Sequence, residues 1–118
     1  MPYNVGDVVD VWFAYREDGE IKVKERPAIV YKVHQETNHA LIQLTSTNKS
    51  GKYPGFFVTK ESQEGIEMGL TKDTFIHLEE TYWIPEKFIR RLRGTFGEMG
   101  KIEKAMSDFN IKPKKEIK

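Results

Sequence analysis

Residues 24–33, KERPAIVYKV, set a cation and a proline directly ahead of a run rich in Val, Ile and Tyr. β-branched and aromatic side chains favour strands. A proline is tolerated at a strand's first position, where its missing N–H is not needed. The segment therefore reads as a strand over Pro27–Val33, with Arg26 at its mouth and Pro27 fixing where the strand begins. A solvated loop would hold that arginine more easily, so its placement asks for a reason.

Working outward, VVDVWFA (Val8–Ala14) follows the Gly6-Asp7 turn and reads as an earlier strand. Between the two, YREDGEIKVKE (15–25) is a polar, charged connection expected to project from the body, its inner EIKVK alternating so as to extend a hairpin. On the other side, the polar turn QETNH (35–39) leads into ALIQLTS (40–46). That strand places Leu41 and Gln43 on one face, Ile42 and Leu44 on the other. NKSGKYPG (48–55) is a loop and FFVT (56–59) a short strand, while KESQEGIEMGLTKD (60–73) is a turn or a single helical turn. TFIHLEETYWI (74–84), ended by Pro85, and KFIRRLRG (87–94) supply the last strands. Short strands separated by turn residues indicate a small β barrel or sandwich.

One helix closes the pattern. Thr95 and Glu98 have the spacing of a capping box, with Thr95 as N-cap. Behind them Met99, Ile102, Met106 and Phe109 step by three and four residues and so form one apolar, core-facing stripe, beside the small Ala105. The tail IKPKKEIK (111–118) has four lysines and little to bury, so it is expected to be disordered. The organisation is one domain over residues 1–110 followed by that tail.

The chain has 118 residues, 38% of them apolar, with seven Phe, five Tyr and two Trp, enough for one core rich in aromatics. Nineteen basic residues against 18 acidic ones leave a net charge of +1, so affinity for nucleic acid must come from local placement of Arg and Lys. The absence of cysteine excludes disulfides, thiol catalysis and most structural zinc sites. The N-terminal MPYNVGDVVD lacks the pattern of a signal peptide, and no apolar run is long enough to span a bilayer. A cytoplasmic protein with no membrane association is the simplest expectation.

No phosphate-binding glycine loop or nucleophile–base signature is present. His34, His39 and His77 stand on separate elements without ligand spacing, so no metal and no cofactor are expected. What remains is Arg26 and the strand end Thr45-Ser46-Thr47. Arginine offers a fork of donors matched to phosphate oxygens, and a hydroxyl rotor supplies one more. If the two strands carrying them are antiparallel neighbours, the start of one lies near the end of the other. Arg26 and Thr45 then converge, unless Arg26 instead pairs with Glu25 or another surface carboxylate.

In order along the chain, GDVVDVWFAY, ERPAIV, LIQLTST, GLTKDTFIHLEETYWI and RRLRGTF with a closing helix resemble the MazF/PemK family of toxins, over residues 6 to about 106. The resemblance implies a mainly β (α+β) fold, an SH3-like small β barrel of about five to seven strands with a C-terminal α-helix, assembled as a homodimer. It implies a toxin of a type II toxin–antitoxin system, a sequence-specific endoribonuclease that cuts single-stranded RNA without metal. In that chemistry the 2′-OH attacks the adjacent phosphate and leaves a 2′,3′-cyclic phosphate and a 5′-OH. A cognate antitoxin protein is the implied partner. Carried over by motif, Arg26 stabilises the phosphorane charge and Thr45 holds a phosphate oxygen.

The chain departs from the family at the fifth strand, where Glu80 and Tyr82 stand in place of a glutamine and an arginine. His77 and Glu79, two apart on that strand, are candidates for an acid–base pair beside Arg26, the alternative for His77 being a packing residue. Arg16, Lys22 and Lys24 are available for backbone phosphates, with Ser46, Lys49 and Glu80 as further RNA contacts. A second reading is a non-catalytic or gyrase-inhibiting relative on the same barrel, relying on residues from Met106 to Lys118 for its target.

Overall fold

The computed structural model describes residues 3–35 and 37–115. Its first feature is a long hairpin. Strand β1 (Asp7–Glu17) pairs antiparallel with β2 (Glu20–His34) in unbroken register from Val8 opposite Ile29 to Glu17 opposite Glu20. Asp18 (φ 53°) and Gly19 (φ 79°) alone make the turn. Two consecutive left-handed residues match the twist of a hairpin, and Asp-Gly is among the pairs that adopt them most readily. The connection expected over residues 15–25 is therefore a two-stranded ribbon with a two-residue turn.

This moves Arg26 and Pro27. They lie inside β2, opposite Val11 and Asp10 of β1, and not at the start of the strand. What begins near Pro27 is the third strand's contact. β3 (Asn38–Thr45) pairs with β2 only from Ala28, opposite Gln43, onward. Pro27 has no N–H with which to continue that ladder. Beyond it β2 and β3 part.

The rest of the sheet follows from β3. It pairs with β5 (Thr74–Pro85), which pairs in turn with β4 (Gly55–Val58), while β1 carries β6 (Ile89–Thr95) on its other side. The order β4-β5-β3-β2-β1-β6 curls into a half-barrel. A six-residue helix, α1 (Gln63–Met68), is capped by the Ser62 hydroxyl on the Gly65 N–H and ends at left-handed Gly69. A 3₁₀ turn (Glu86–Phe88) links β5 to β6.

Alternation along the strands divides the core between two faces. Val8, Ile29, Ile42, Leu44 and Ile76 pack with Met68 of α1 and with Ile102 and Met106 of α2 (Met99–Asp108). Val9, Val11, Phe13, Ala28, Val30, Leu41 and Ile84 form the other layer. Leu41 and Ile42 fall on opposite sides, as the sequence indicates.

The helix differs from expectation at both ends. Thr95 is still in β6, paired with Asp7, so α2 begins at Met99 with Glu98 at the cap and no side-chain cap bond. The Glu98 carboxylate instead meets Lys101 Nζ at 3.0 Å. Phe109 lies past the last turn and is 60% exposed, so it leaves the core stripe. Ile111 packs against the core in its stead, its N–H bonded to the Met106 carbonyl at 2.8 Å.

The tail expected to be disordered is held as far as Lys115. Lys114–Lys115 form β7, a short strand parallel to β5 at Tyr82–Trp83. That stretch of β5 lies beyond the end of β4, and its free backbone groups supply the partners. The last three tail positions lie outside the described residues. Among the described residues no helix is long and apolar enough to cross a membrane.

Candidate functional site

The parting of β2 and β3 opens a cleft. Arg26 and Pro27 line one bank, Leu44, Thr45 and Ser46 the other. Thr71, Lys72 and Thr74, leading into β5, and Arg93 of β6 close it. Continuing the register in which Ala28 faces Gln43 puts Arg26 and Thr45 on the same sheet face, across the gap from one another. The structure thus brings together the two residues singled out from sequence.

The Arg26 side chain makes no hydrogen bond or ion pair among the described residues. Glu25, its obvious partner, meets Arg90 Nη1 at 3.3 Å instead. The bland alternative for Arg26, a surface pair with Glu25, is not what the side chains do. A half-buried guanidinium without a carboxylate keeps its donors for an incoming anion. Thr45 Oγ1 accepts the Thr47 N–H at 3.3 Å, which leaves the hydroxyl proton free to be donated.

Two cationic members of the cleft, Arg93 and Lys72, were not identified from the sequence. Arg93 is held by a buried carboxylate: Asp10, with a side chain 5% exposed, takes Arg93 Nε at 2.9 Å on one oxygen and Arg91 Nε at 2.6 Å on the other. The signal available in sequence was Asp10 itself, a lone charge inside the apolar run VVDVWFA, since buried charges demand partners. With Glu25 engaged by Arg90, the cleft's balance is positive.

Beside this cleft, and sharing Arg26 with it, is a recess lined by aromatic rings. Phe13 and Tyr15 of β1, Lys24 of β2, Gln43 of β3, and Glu80 and Tyr82 of β5 surround it. Phe13 and Tyr82 meet edge to face, with centroids 6.5 Å apart. The Tyr82 hydroxyl donates to Glu80. Burial raises the Tyr82 phenol well above its ordinary pKa, and the bond to Glu80 and that carboxylate's charge add to the effect.

His77 belongs to a third group. It lies on β5 opposite Gly55, buried against Phe75 and under Tyr53, whose ring centroid is 5.0 Å away. Lys49 Nζ stands 5.4 Å from the Tyr53 ring. Phe75 pairs with Thr45, so His77, two residues on, starts on the same sheet face as Arg26, but two strands over. That is about 10 Å at ordinary strand spacing. Its Nδ1 has no hydrogen-bond partner among the described residues. Burial lowers its pKa, the Glu80 charge opposes this, and Lys49 and Glu79 act more weakly in opposite senses.

No hydrogen bond or ion pair joins His77 to Glu79 among the described residues. The pairing of β5 with β3 is irregular here. β3 advances from Ile42 to Leu44 while β5 advances from Thr81 back to Ile76, so residues 77–80 bulge out against a single partner. Alternation holds from Ile76 to Leu78, which share one core layer, and the register shift follows it along β5.

The remaining expected contacts are spread along the ribbon and the loop. Lys22 meets Glu17 at 3.8 Å, and Lys24 stands over Tyr15 at 5.1 Å. Arg16 is at the ribbon's far end, opposite Ile21. Ser46 is in the cleft and Lys49 in the loop recess around Tyr53. Among the described residues no three His, Asp or Glu side chains are placed to hold a metal ion. No family model matches the chain, and no curated protein matches it.

Proposed function

We propose that this chain is a MazF/PemK-like toxin, a metal-independent endoribonuclease acting on single-stranded RNA. The observation that carries the reading is Arg26, unpaired and facing Thr45 across a cationic cleft. A phosphodiester entering there meets the Arg26 fork, the Thr45 hydroxyl, Arg93 and Lys72. As the 2′-OH oxygen loses its proton and bonds to phosphorus, the bond to O5′ breaks, O5′ takes a proton from water in the open cleft and leaves as the 5′-OH, and negative charge grows meanwhile on the equatorial oxygens. Fixed donors aimed at that charge are worth more in the transition state than in the ground state.

The 2′-OH proton needs an acceptor. Glu25 is the carboxylate among the cleft's lining residues, whereas His77 sits beneath Tyr53 on another strand. The base role is therefore assigned to Glu25, which Arg90 Nη1 holds at 3.3 Å. His77 then acts as a packing residue that positions Tyr53. A second copy of the chain and an antitoxin in the cytoplasm complete the proposed setting.

The test is incubation of pure protein with long single-stranded RNA in EDTA. Fragments ending in 2′,3′-cyclic phosphate and 5′-OH are expected, and Arg26→Ala should slow their formation by about 10²–10³-fold, the usual effect of losing one such donor. Intact RNA, or cleavage indifferent to both Arg26→Ala and Thr45→Val, overturns the reading. Toxicity in cells with RNA intact, abolished by truncation after Phe109, would instead favour a protein target.

A further inference from the structure

The recess beside the cleft has a chemistry of its own. At about 170 Å³ it is smaller than the pockets that take drug-sized ligands. It suits one small planar group. Its rings are Phe13, Tyr15 and Tyr82, and aromatic faces of this kind stack unpaired bases in single-stranded RNA. Arg26 lines both recess and cleft, so the two adjoin and a base in the recess can belong to the strand whose phosphate is in the cleft.

Glu80 decides which base fits. A carboxylate at neutral pH only accepts hydrogen bonds. The Tyr82 hydroxyl takes one lone pair and pins the group, leaving the others turned to whatever enters. On its pairing edge guanine presents two adjacent donors, N1–H and the N2 amino group. They match the two oxygens of a carboxylate. Cytosine and adenine each set a ring-nitrogen acceptor beside their amino group, and uracil flanks its one N–H with two carbonyls. Those acceptors face the carboxylate charge and are repelled. Lys24 and Gln43, on the recess wall, carry the donors that guanine O6 requires.

We propose that the recess is a guanine subsite and that Glu80 is its specificity-determining residue. The proposal rests on the nuclease reading for its substrate class, but its test is a binding measurement. The probes are 2′-O-methyl hexanucleotides of uridine, which cannot be cleaved, with guanine, adenine, cytosine or inosine at a central position, together with the all-uridine hexamer. Titrations followed by Trp fluorescence should give guanine roughly 10- to 100-fold tighter binding than adenine, cytosine or uracil, the discrimination of one bidentate base contact. Inosine lacks the N2 amino group and should fall between. Glu80→Gln, which offers one acceptor in place of two, should bring the probes to within a few-fold of each other.

Equal affinities, a preference for cytosine, or a guanine preference that survives Glu80→Gln overturns the subsite. The incubation with long single-stranded RNA separates the two readings. Guanine-selective binding without cleavage keeps the subsite and removes the nuclease. Cleavage without guanine selectivity does the reverse, and no binding of any probe together with intact long RNA removes both.

Discussion

The Asp10 carboxylate holds Arg93 by Nε at 2.9 Å, and through that bond a residue of β6 is fixed against a cleft built mainly from β2 and β3. Asp10 is buried, and its own burial cost is offset only while cations partner it. Asp10→Asn keeps the shape and loses the charge. Unfolding in urea should show a loss of roughly 2 kcal/mol, the scale of a hydrogen bond to a charged group. In a double-mutant cycle with Arg93→Ala the two losses should be clearly non-additive, because the residues share one interaction. Additive losses would mean that Arg93 is placed by packing alone.

Much of this arrangement is legible in the sequence, because it rests on local pattern. The alternation in ALIQLTS fixes the two faces of β3, and Arg26 and Thr45 converge through a short connection between antiparallel strands. What escapes is non-local. The end of the β2–β3 ladder near Pro27 is visible only once β1 continues past it. The bulge at residues 77–80 depends on the mismatch between β3 and β5, so it is a feature neither segment carries alone. Thr95 fails as a cap because Asp7, nearly ninety positions earlier, pairs with it in the sheet. Arg93 enters the cleft through Asp10 on a different strand. The Asp18-Gly19 turn is the exception: it was legible, since Asp-Gly between alternating runs is a hairpin signal.

His39 and His77 make stability depend on pH. His39 is fully buried, with neither ring nitrogen hydrogen-bonded among the described residues, and burial lowers its pKa, against a weaker opposing effect of Glu86. Burial lowers the His77 pKa as well. Both therefore bind protons more readily unfolded, where the value is about 6.5. Their contribution is complete above that pH and is lost as pH falls from there through the depressed folded values. Chemical unfolding between pH 7.5 and 5 should show declining stability, and His39→Leu should flatten the slope. A slope unchanged in that variant would remove His39 from the account.

Two glycines should respond to alanine in opposite ways. A Cβ on Gly94 would stand 2.3 Å from the Glu67 carbonyl oxygen and 2.6 Å from the Met68 carbonyl carbon. Backbone cannot yield as a side chain tip does, so Gly94→Ala forces α1 off β6 and should cost about 1–3 kcal/mol or more. Gly100 lies in α2, where an added Cβ would point into open space. Gly100→Ala should stabilise by up to about 1 kcal/mol, by restricting the unfolded chain and improving helix propensity. Thermal melts of the two variants against the parent decide both, and a melting temperature for Gly94→Ala at or above the parent's would contradict the close approach of α1 and β6.

Tyr82 gives a direct reading of the Glu80 carboxylate. Burial first, then the hydrogen bond to Glu80 and that group's negative charge, all favour the neutral phenol and raise its pKa. Tyr31 is also raised, by burial and by Glu103, but by a route that does not involve Glu80. Alkaline titration followed by phenolate absorbance should therefore end in a late component that Tyr82→Phe removes. Glu80→Gln should move it to lower pH without abolishing it, because burial persists when the charge is gone. If Glu80→Gln leaves the late component where it was, the carboxylate is not held by Tyr82, and the recess has lost the group that gives it a preference among bases.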